Sequence, residues 1–162
     1  MKKVFIIVLS IAAIIAVSVL FVKKHISRIE NHISSLFDID ISNCELIEEY
    51  NSHGGFLGDG ESLYKMSCSS MKIDDKWIDL PLSEELDEAL NLIRCDEEVC
   101  SNVYDRYNIE TIEKGYYIFV DRHSESEDKS HDKLINSRSS YNFSIVIYDL
   151  YNKLLYCYEL DT

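Results

Sequence analysis

Two short polar stretches hold the residues whose types and spacing could support chemistry. Residues 53–61 read HGGFLGDGE and residues 121–125 read DRHSE, so each stretch combines an imidazole with carboxylates. Histidine and carboxylate side chains are ligands that zinc takes, and an imidazole beside a carboxylate is suited to general acid–base catalysis. The candidate functional surface predicted from these stretches comprises His53, Gly54, Gly55, Asp59, Glu61, Asp121, Arg122, His123 and Glu125.

Each stretch also has a purely structural interpretation. The His53 ring can cap a glycine turn by hydrogen bonding to backbone groups, and residues 121–128 can form a solvated acidic loop in which Arg122 pairs with a carboxylate. Ser124 is a candidate nucleophile, but it lacks the strand–G-x-S-x-G–helix setting of a hydrolase. The glycines do not lead into the Gly-Lys-Ser/Thr ending of a phosphate-binding loop. Catalysis, a divalent-cation site and a structural role all stay open.

The glycine content predicts how the two stretches are placed. Four of the five glycines in the chain lie between residues 54 and 60, whereas two are enough for a tight hairpin. Because glycine lets one backbone approach another closely, the extra glycines predict packing against a second strand. We therefore expect this glycine stretch to lie against the strand end at Asp121–Glu125, with His53 and His123 on one concave surface.

The apolar patterns predict an α+β fold, in which an N-terminal transmembrane helix precedes an antiparallel sheet of four or five strands with one main helix packed on it. The first two strands form a hairpin closed by the glycine stretch, and the last two form a second hairpin. The predicted strands are residues 39–48, 62–69, 116–120, 143–148 and 154–160.

The main helix is predicted from Glu84 to about Arg94. Ser83 is a natural N-cap, and the following residues place an apolar face on one side of the helix, formed by Leu86, Ala89, Leu90 and Ile93. The pattern of residues 71–80 is ambiguous, and Trp77 and Ile78 are expected in the core.

The first 24 residues are typical of a membrane anchor. Residues 4–22 are apolar except for two serines, and a lysine pair lies on each side. This length gives roughly 28 Å of helix, close to the thickness of the hydrocarbon core of a bilayer. A cleavable signal peptide is disfavoured because the apolar run continues past the small residues at 16–18 to the second lysine pair. We predict an uncleaved signal anchor at residues 1–24, a juxtamembrane stalk helix at 25–37 and a single domain at 38–162 outside the cytoplasm.

The charge distribution narrows the range of partners. All 29 acidic residues but only 12 of the 16 basic residues follow Lys24, so the predicted domain has a formal charge of −17. Such a surface repels nucleic acid and anionic lipid headgroups. It favours basic or cationic partners, although acidity that serves solubility alone is the simpler interpretation.

The five cysteines leave the redox state open. The count is odd, so at least one thiol has no partner within the chain. No C-x-x-C pair occurs, and the spacing of Cys95 and Cys100 lacks the second pair that a structural zinc site needs. A disulfide between these two cysteines and buried free thiols both remain open.

Four segments resemble a family of small, membrane-anchored, uncharacterised proteins of Gram-positive bacteria. The segments are 53–60 (HGGFLGDG), 80–83 (LPLS), 115–125 (GYYIFVDRHSE) and 158–162 (YELDT). The resemblance runs from about Asp38 to Thr162 and implies a membrane location and the extent of the domain, but no activity. Members of that family often have a second histidine in the glycine stretch, where this chain has Leu57, so a two-histidine metal site is poorly supported here.

Three function classes follow from these observations. The first is a membrane-tethered binding or interaction module at the outer face of the membrane, favoured by the acidic surface and by the lack of a catalytic motif. The second is a metal-assisted or His/Asp-based hydrolase centred on His53, Asp59, Asp121 and His123. The third is a divalent-cation site in the carboxylate-rich loop, with a structural or sensing role.

Overall fold

The computed structural model describes residues 2–54, 59–88, 111–123, 126 and 140–162, with side chains from residue 6 onward. The chain divides into two compact units, Met1–Ile39 and Asp40–Thr162. The described helices are α1 (Lys2–Phe37) and α2 (residues 84–88). The described strands are β1 (Cys44–Asn51), β2 (Gly60–Cys68), β3 (Ile78–Asp79), β4 (Gly115–Asp121), β5 (Asn142–Asp149) and β6 (Leu154–Asp161).

The six strands form one antiparallel sheet in the order β1-β2-β6-β5-β4-β3. The predicted α+β class is therefore confirmed, and each of the five predicted strands corresponds to an observed one. The sixth strand, β3, has two residues and lies in the ambiguous stretch 71–80. The two predicted hairpins are β1–β2 and β5–β6. They are joined by the pairing of β2 with β6, which connects the first strands of the sheet to the last one.

One face of the sheet carries the hydrophobic core. Since side chains alternate between the two faces of a strand, residues directly paired across strands share a face. Leu63, Tyr158, Ile145 and Phe119 form one such row across β2, β6, β5 and β4, and all four are buried. We call this side the core face and the other the opposite face.

The polar buried residues are concentrated at one end of the sheet, which we call the polar end. It is the end at which β1, β4 and β6 finish and β2 and β5 begin. The buried polar side chains at this end are Glu61, Ser62, Asp121, His123, Ser144 and Glu159. Towards the other end, the buried residues of both faces are mainly apolar, among them Val146, Leu155 and Ile147, with Asp149 as a buried carboxylate.

Helix α1 is the helix in the described part of the chain that is long and apolar enough to cross a membrane. Its large apolar side chains between Ile6 and Val22 are 48 to 70% exposed. Ile29, Ile33 and Phe37, at helical spacing in its C-terminal part, are instead buried. The helix ends where Asp38 adopts a left-handed φ of 52° and the Ile39 N–H donates to Ser34 O at 3.1 Å, which satisfies a carbonyl of the last turn.

A disulfide between Cys44 and Cys68 links the open end of the β1–β2 hairpin. The sequence did not point to this pair, although the two cysteines lie on either side of the glycine stretch. Cys157 on β6 is a buried free thiol, and Cys95 and Cys100 lie outside the described residues.

The predicted helix at 84–94 is described only over residues 84–88. The N-cap prediction is confirmed there, because the Leu86 N–H donates to Ser83 Oγ at 3.3 Å and Leu86 is fully buried. Ala89, Leu90, Ile93 and Arg94 lie outside the described residues.

The core prediction is right for Trp77 and wrong for Ile78. Trp77 is 7% exposed, whereas Ile78 is 40% exposed. Ile78 lies in β3, a two-residue strand at the edge of the sheet in which both residues are exposed, and no further strand covers it in the strand order.

This difference gives a test with a neighbouring control. Trp77→Ala should lower the free energy of unfolding by about 3–5 kcal/mol, because it opens a large cavity, whereas Ile78→Ala should cost less than about 1 kcal/mol. Unfolding of the full-length protein in detergent can be followed by the near-ultraviolet circular dichroism of its tyrosines, since Trp77 is the only tryptophan. Equal costs for the two variants would show that Trp77 is not a core residue.

Candidate functional site

The register of the sheet brings the two chemistry-bearing stretches to the polar end. Asp161, at the end of β6, pairs with Gly60 of β2 on one side and with Asn142 of β5 on the other. The chain leaving β4 continues this row, because the Arg122 N–H donates to Asn142 O at 2.7 Å. Asp161 therefore lies between the glycine stretch and the exit of β4.

The Asp161 carboxylate contacts both stretches at once. Its Oδ1 accepts a hydrogen bond from Arg122 Nη1 at 2.8 Å, and its Oδ2 lies 3.0 Å from His53 Nε2. The side chains of His53, Arg122 and Asp161 are 24, 26 and 29% exposed, so the group is neither fully buried nor freely solvated. We call these three residues the carboxylate clasp.

Arg122 is held by more than its ion pair. Its Nε donates to Ser144 Oγ at 2.8 Å, and its Nη2 donates to the backbone carbonyls of Phe143 at 3.0 Å and Leu160 at 3.4 Å. Ser144 in turn donates to the buried Glu159 carboxylate at 3.2 Å, which also lies 3.9 Å from Arg122 Nη2. The planar guanidinium thus joins the ends of β5 and β6 through side-chain and backbone oxygens, an arrangement that lysine cannot reproduce.

His53 is positioned by the residues around it. Its backbone N–H donates to Asn51 Oδ1 at 2.9 Å, and its ring Nδ1 lies 3.3 Å from the same oxygen. The adjacent Ser52 closes the hairpin, because its N–H donates to Glu61 O and its Oγ accepts from the Glu61 N–H, both at 2.9 Å.

The structure shows why position 60 requires a glycine. It has a φ of 153°, and a Cβ at this position would lie 2.6 Å from the Cα of His53. Only glycine fits such an approach. A described glycine does pack against a second backbone as expected, but that backbone is the other side of its own hairpin.

Glu61, Asp121 and His123 make contacts with other partners. Glu61 and Asp121 are buried on the core face, where Glu61 accepts a hydrogen bond from the Tyr158 hydroxyl at 2.9 Å. Asp121 Oδ1 accepts from the His123 N–H at 3.1 Å. The His123 ring contacts Ser140 Oγ at 3.2 Å.

The remaining candidates are less informative. Asp59 is exposed, and a Cβ at Gly54 would meet only Ser52 O, at 3.7 Å. Gly55 and Glu125 lie outside the described residues. The structure thus joins His53 with Arg122, through a residue that was not among the candidates.

Burial controls the protonation of two groups beside the clasp on the opposite face. The pKa of the Cys157 thiol is raised well above its usual value by burial and further by Glu159, against which Arg122 acts in the lowering direction. The pKa of the Tyr64 hydroxyl is also raised, chiefly by burial. Both groups are therefore neutral near pH 7, and Cys157 is not a thiolate nucleophile.

The sequence analysis missed Asp161 because the pairing of β2 with β6, which brings it to this site, is non-local.

 The other missed members of this network are Asn51, Ser144 and Glu159. One signal was available in the sequence: like Asp121, Asp161 is a carboxylate placed directly after an apolar strand, where functional groups are often found.

The arrangement restricts what the clasp can do chemically. Both ring nitrogens of His53 face oxygen atoms of the protein, and the Arg122 guanidinium is occupied by four hydrogen bonds. Across the described ranges, no three His, Cys, Asp or Glu side chains are grouped closely enough to hold a metal ion. The geometry is that of a fixed connection between chain segments.

No family model, curated protein or solved structure matches the chain.

The guanidinium geometry can be tested by a conservative substitution. Arg122→Lys keeps the charge but cannot reach Asp161, Ser144 and the Phe143 carbonyl together, so the free energy of unfolding should fall by about 1–3 kcal/mol. Arg28→Lys makes the same chemical change at an exposed position of α1 and should change it by less than about 0.5 kcal/mol. Urea denaturation of the two full-length variants measures both values. Equal stability of the two variants would contradict the role assigned to Arg122.

Proposed function

We propose that the protein is a single-pass membrane protein whose C-terminal unit acts outside the cytoplasm as a binding or interaction module. The observation that carries this proposal is the apolar surface of α1 between Ile6 and Val22, which the protein itself leaves exposed. Exposing an apolar helix surface of this length to water is energetically unfavourable, whereas the hydrocarbon core of a bilayer accommodates it.

The two serines of this segment fit a lipid environment. Ser10 Oγ donates to Ile6 O at 3.0 Å, and Ser18 Oγ donates to Ile14 O at 2.9 Å. Each hydroxyl is therefore satisfied within the helix and needs no water. The lysine pairs at 2–3 and 23–24 flank the apolar segment in the sequence, as is typical of residues next to the headgroup regions.

The Cys44–Cys68 disulfide supports an extracytoplasmic location for the C-terminal unit. Disulfides persist in oxidising compartments and are rare in the cytoplasm. The same location is implied by the resemblance to membrane-anchored proteins of Gram-positive bacteria.

The character of the partner follows from the exposed charges. Among the described residues from 40 onward, the exposed basic side chains are Lys72, Lys114 and Lys153. The exposed carboxylates of the same part of the chain are Asp40, Glu45, Glu49, Asp59, Asp75, Asp79, Glu84, Glu85, Asp87, Glu88 and Glu113. This surplus favours a basic protein or peptide and disfavours nucleic acid, whose phosphates need neutralising.

A binding role is favoured over hydrolysis because the His53 ring has both nitrogens directed at protein oxygens and so presents neither to a substrate. The hydrolase and divalent-cation interpretations stay predictions, and Glu125 of the carboxylate-rich loop lies outside the described residues.

The location is tested by protease accessibility. Protease added to protoplasts or spheroplasts of a bacterium that expresses the chain should digest the C-terminal unit, while a cytoplasmic protein of the same cells stays intact. The full-length chain should also migrate differently on denaturing gels with and without reductant, because of the disulfide. A C-terminal unit that is protected until the cells are lysed would reverse the proposed topology.

A further inference from the structure

The two edges of the sheet differ in length. In the strand order of the described residues, β1 and β3 are the outermost strands. β3 has two residues, whereas β1 has eight and has a neighbouring strand, β2, on one side. A short edge strand offers little for another chain to pair with, whereas a long one is a template for a further strand. β1 is therefore the edge at which the sheet can be extended.

We propose that β1 is the surface on which the protein binds its partner, and that the partner is a basic peptide segment of another protein, which adds to the sheet as a further strand. This inference rests on the proposed binding function and adds to it the place and the mode of binding.

The backbone of β1 directs hydrogen-bonding groups to its outer side. In an antiparallel pair, residues that exchange hydrogen bonds with the neighbouring strand alternate with residues whose N–H and C=O groups point away from it. The Ser52 N–H donates to Glu61 O at 2.9 Å, so Ser52 faces β2 and the preceding residue, Asn51, faces outward. The register is regular from Glu48 to Asn51, and the alternation continues through this half of the strand.

β1 is held in its extended form at both ends. At its start, the disulfide joins Cys44 to Cys68 of β2. Just beyond its end, Ser52 is bound to Glu61 through its N–H and its Oγ, and the ring of the next residue belongs to the carboxylate clasp. A strand that is already fixed in its binding conformation loses less conformational entropy when a partner pairs with it.

A β-bulge gives the edge an apolar contact. The register shifts between Leu46 and Glu48, so Ile47 is the extra residue of β1 and has no directly paired residue in β2. A bulge re-aims the side chain of the extra residue, and the Ile47 side chain is 54% exposed. An apolar side chain on an added strand can pack against it.

The charges of β1 determine which kind of strand fits. The strand has three carboxylates, Glu45, Glu48 and Glu49, and no basic residue. Glu45 and Glu49 are exposed. Pairing of two copies of β1 would bring carboxylates together, which disfavours a second copy of this chain as the occupant. A basic strand instead places opposite charges beside each other along the edge.

The mode of binding is tested with a defined probe and full-length protein in detergent. The probe is a short peptide of alternating lysine and valine, and its control is the same peptide with a methyl group on every backbone nitrogen. Methylation keeps the charges but removes the N–H donors that strand addition needs. The unmodified peptide should bind at least about tenfold more tightly in isothermal titration calorimetry. It should also slow hydrogen exchange of the outward-facing Asn51 amide.

The place of binding is tested with two double variants of equal charge. Glu45→Gln combined with Glu49→Gln removes two exposed carboxylates of β1 and should weaken binding of the unmodified peptide about three- to tenfold. Glu84→Gln combined with Glu113→Gln removes two exposed carboxylates outside β1 and should change the affinity by less than about twofold.

Three results would each overturn the proposal: equal affinity for the methylated peptide, equal weakening by the two double variants, or no binding of the unmodified peptide. The protease experiment addresses the location separately. A C-terminal unit that is protected in intact cells would reverse the topology and leave peptide binding in detergent unchanged, whereas a digested unit with any of these three results would remove β1 alone as the binding edge.

Discussion

The structure at the polar end depends on one carboxylate that is shared by two distant segments. Asp161 binds His53 through one oxygen and Arg122 through the other, and these two partners are 69 positions apart in the sequence. Neither contact forms unless β6 lies between β2 and β5, because that order places Asp161 opposite both Gly60 and Asn142. The clasp is thus a consequence of the strand order and also a reason why the strand ends stay aligned.

The clasp contributes alignment more than overall stability. Ion pairs that are about a quarter exposed typically contribute about 1 kcal/mol or less each. Most of the free energy of folding comes instead from the apolar rows of the core face, where Leu63, Phe143 and Ile145 are fully buried. Replacing the clasp should therefore loosen the polar end before it unfolds the sheet.

Local features of the fold were predictable from the sequence, and non-local ones were not. Strand periodicity, the Ser83 cap and the two hairpins depend on neighbouring residues, and the predictions for them are confirmed. The pairing of β2 with β6 depends on contacts across about 95 residues, which no local pattern records. His53 and Arg122 were among the candidates because each lies in a local motif. Asp161, which joins them, was missed because its position beside them depends on that non-local pairing.

The proposed function and the clasp concern different parts of the chain. The exposed apolar helix and the disulfide support a location, whereas the clasp determines how rigidly the polar end is presented. In a binding module, a rigid end with fixed backbone groups loses less conformational entropy on binding than a loose one.

The central claim is that Asp161 couples His53 to Arg122, and a double-mutant cycle measures that coupling directly. The free energies of unfolding of His53→Gln, Arg122→Lys and the double variant should depart from additivity by about 1 kcal/mol when Asp161 is present. In an Asp161→Asn background the same cycle should be additive within about 0.3 kcal/mol. Additive effects in the presence of Asp161 would show that the two side chains act independently, and the account of a shared carboxylate would be wrong.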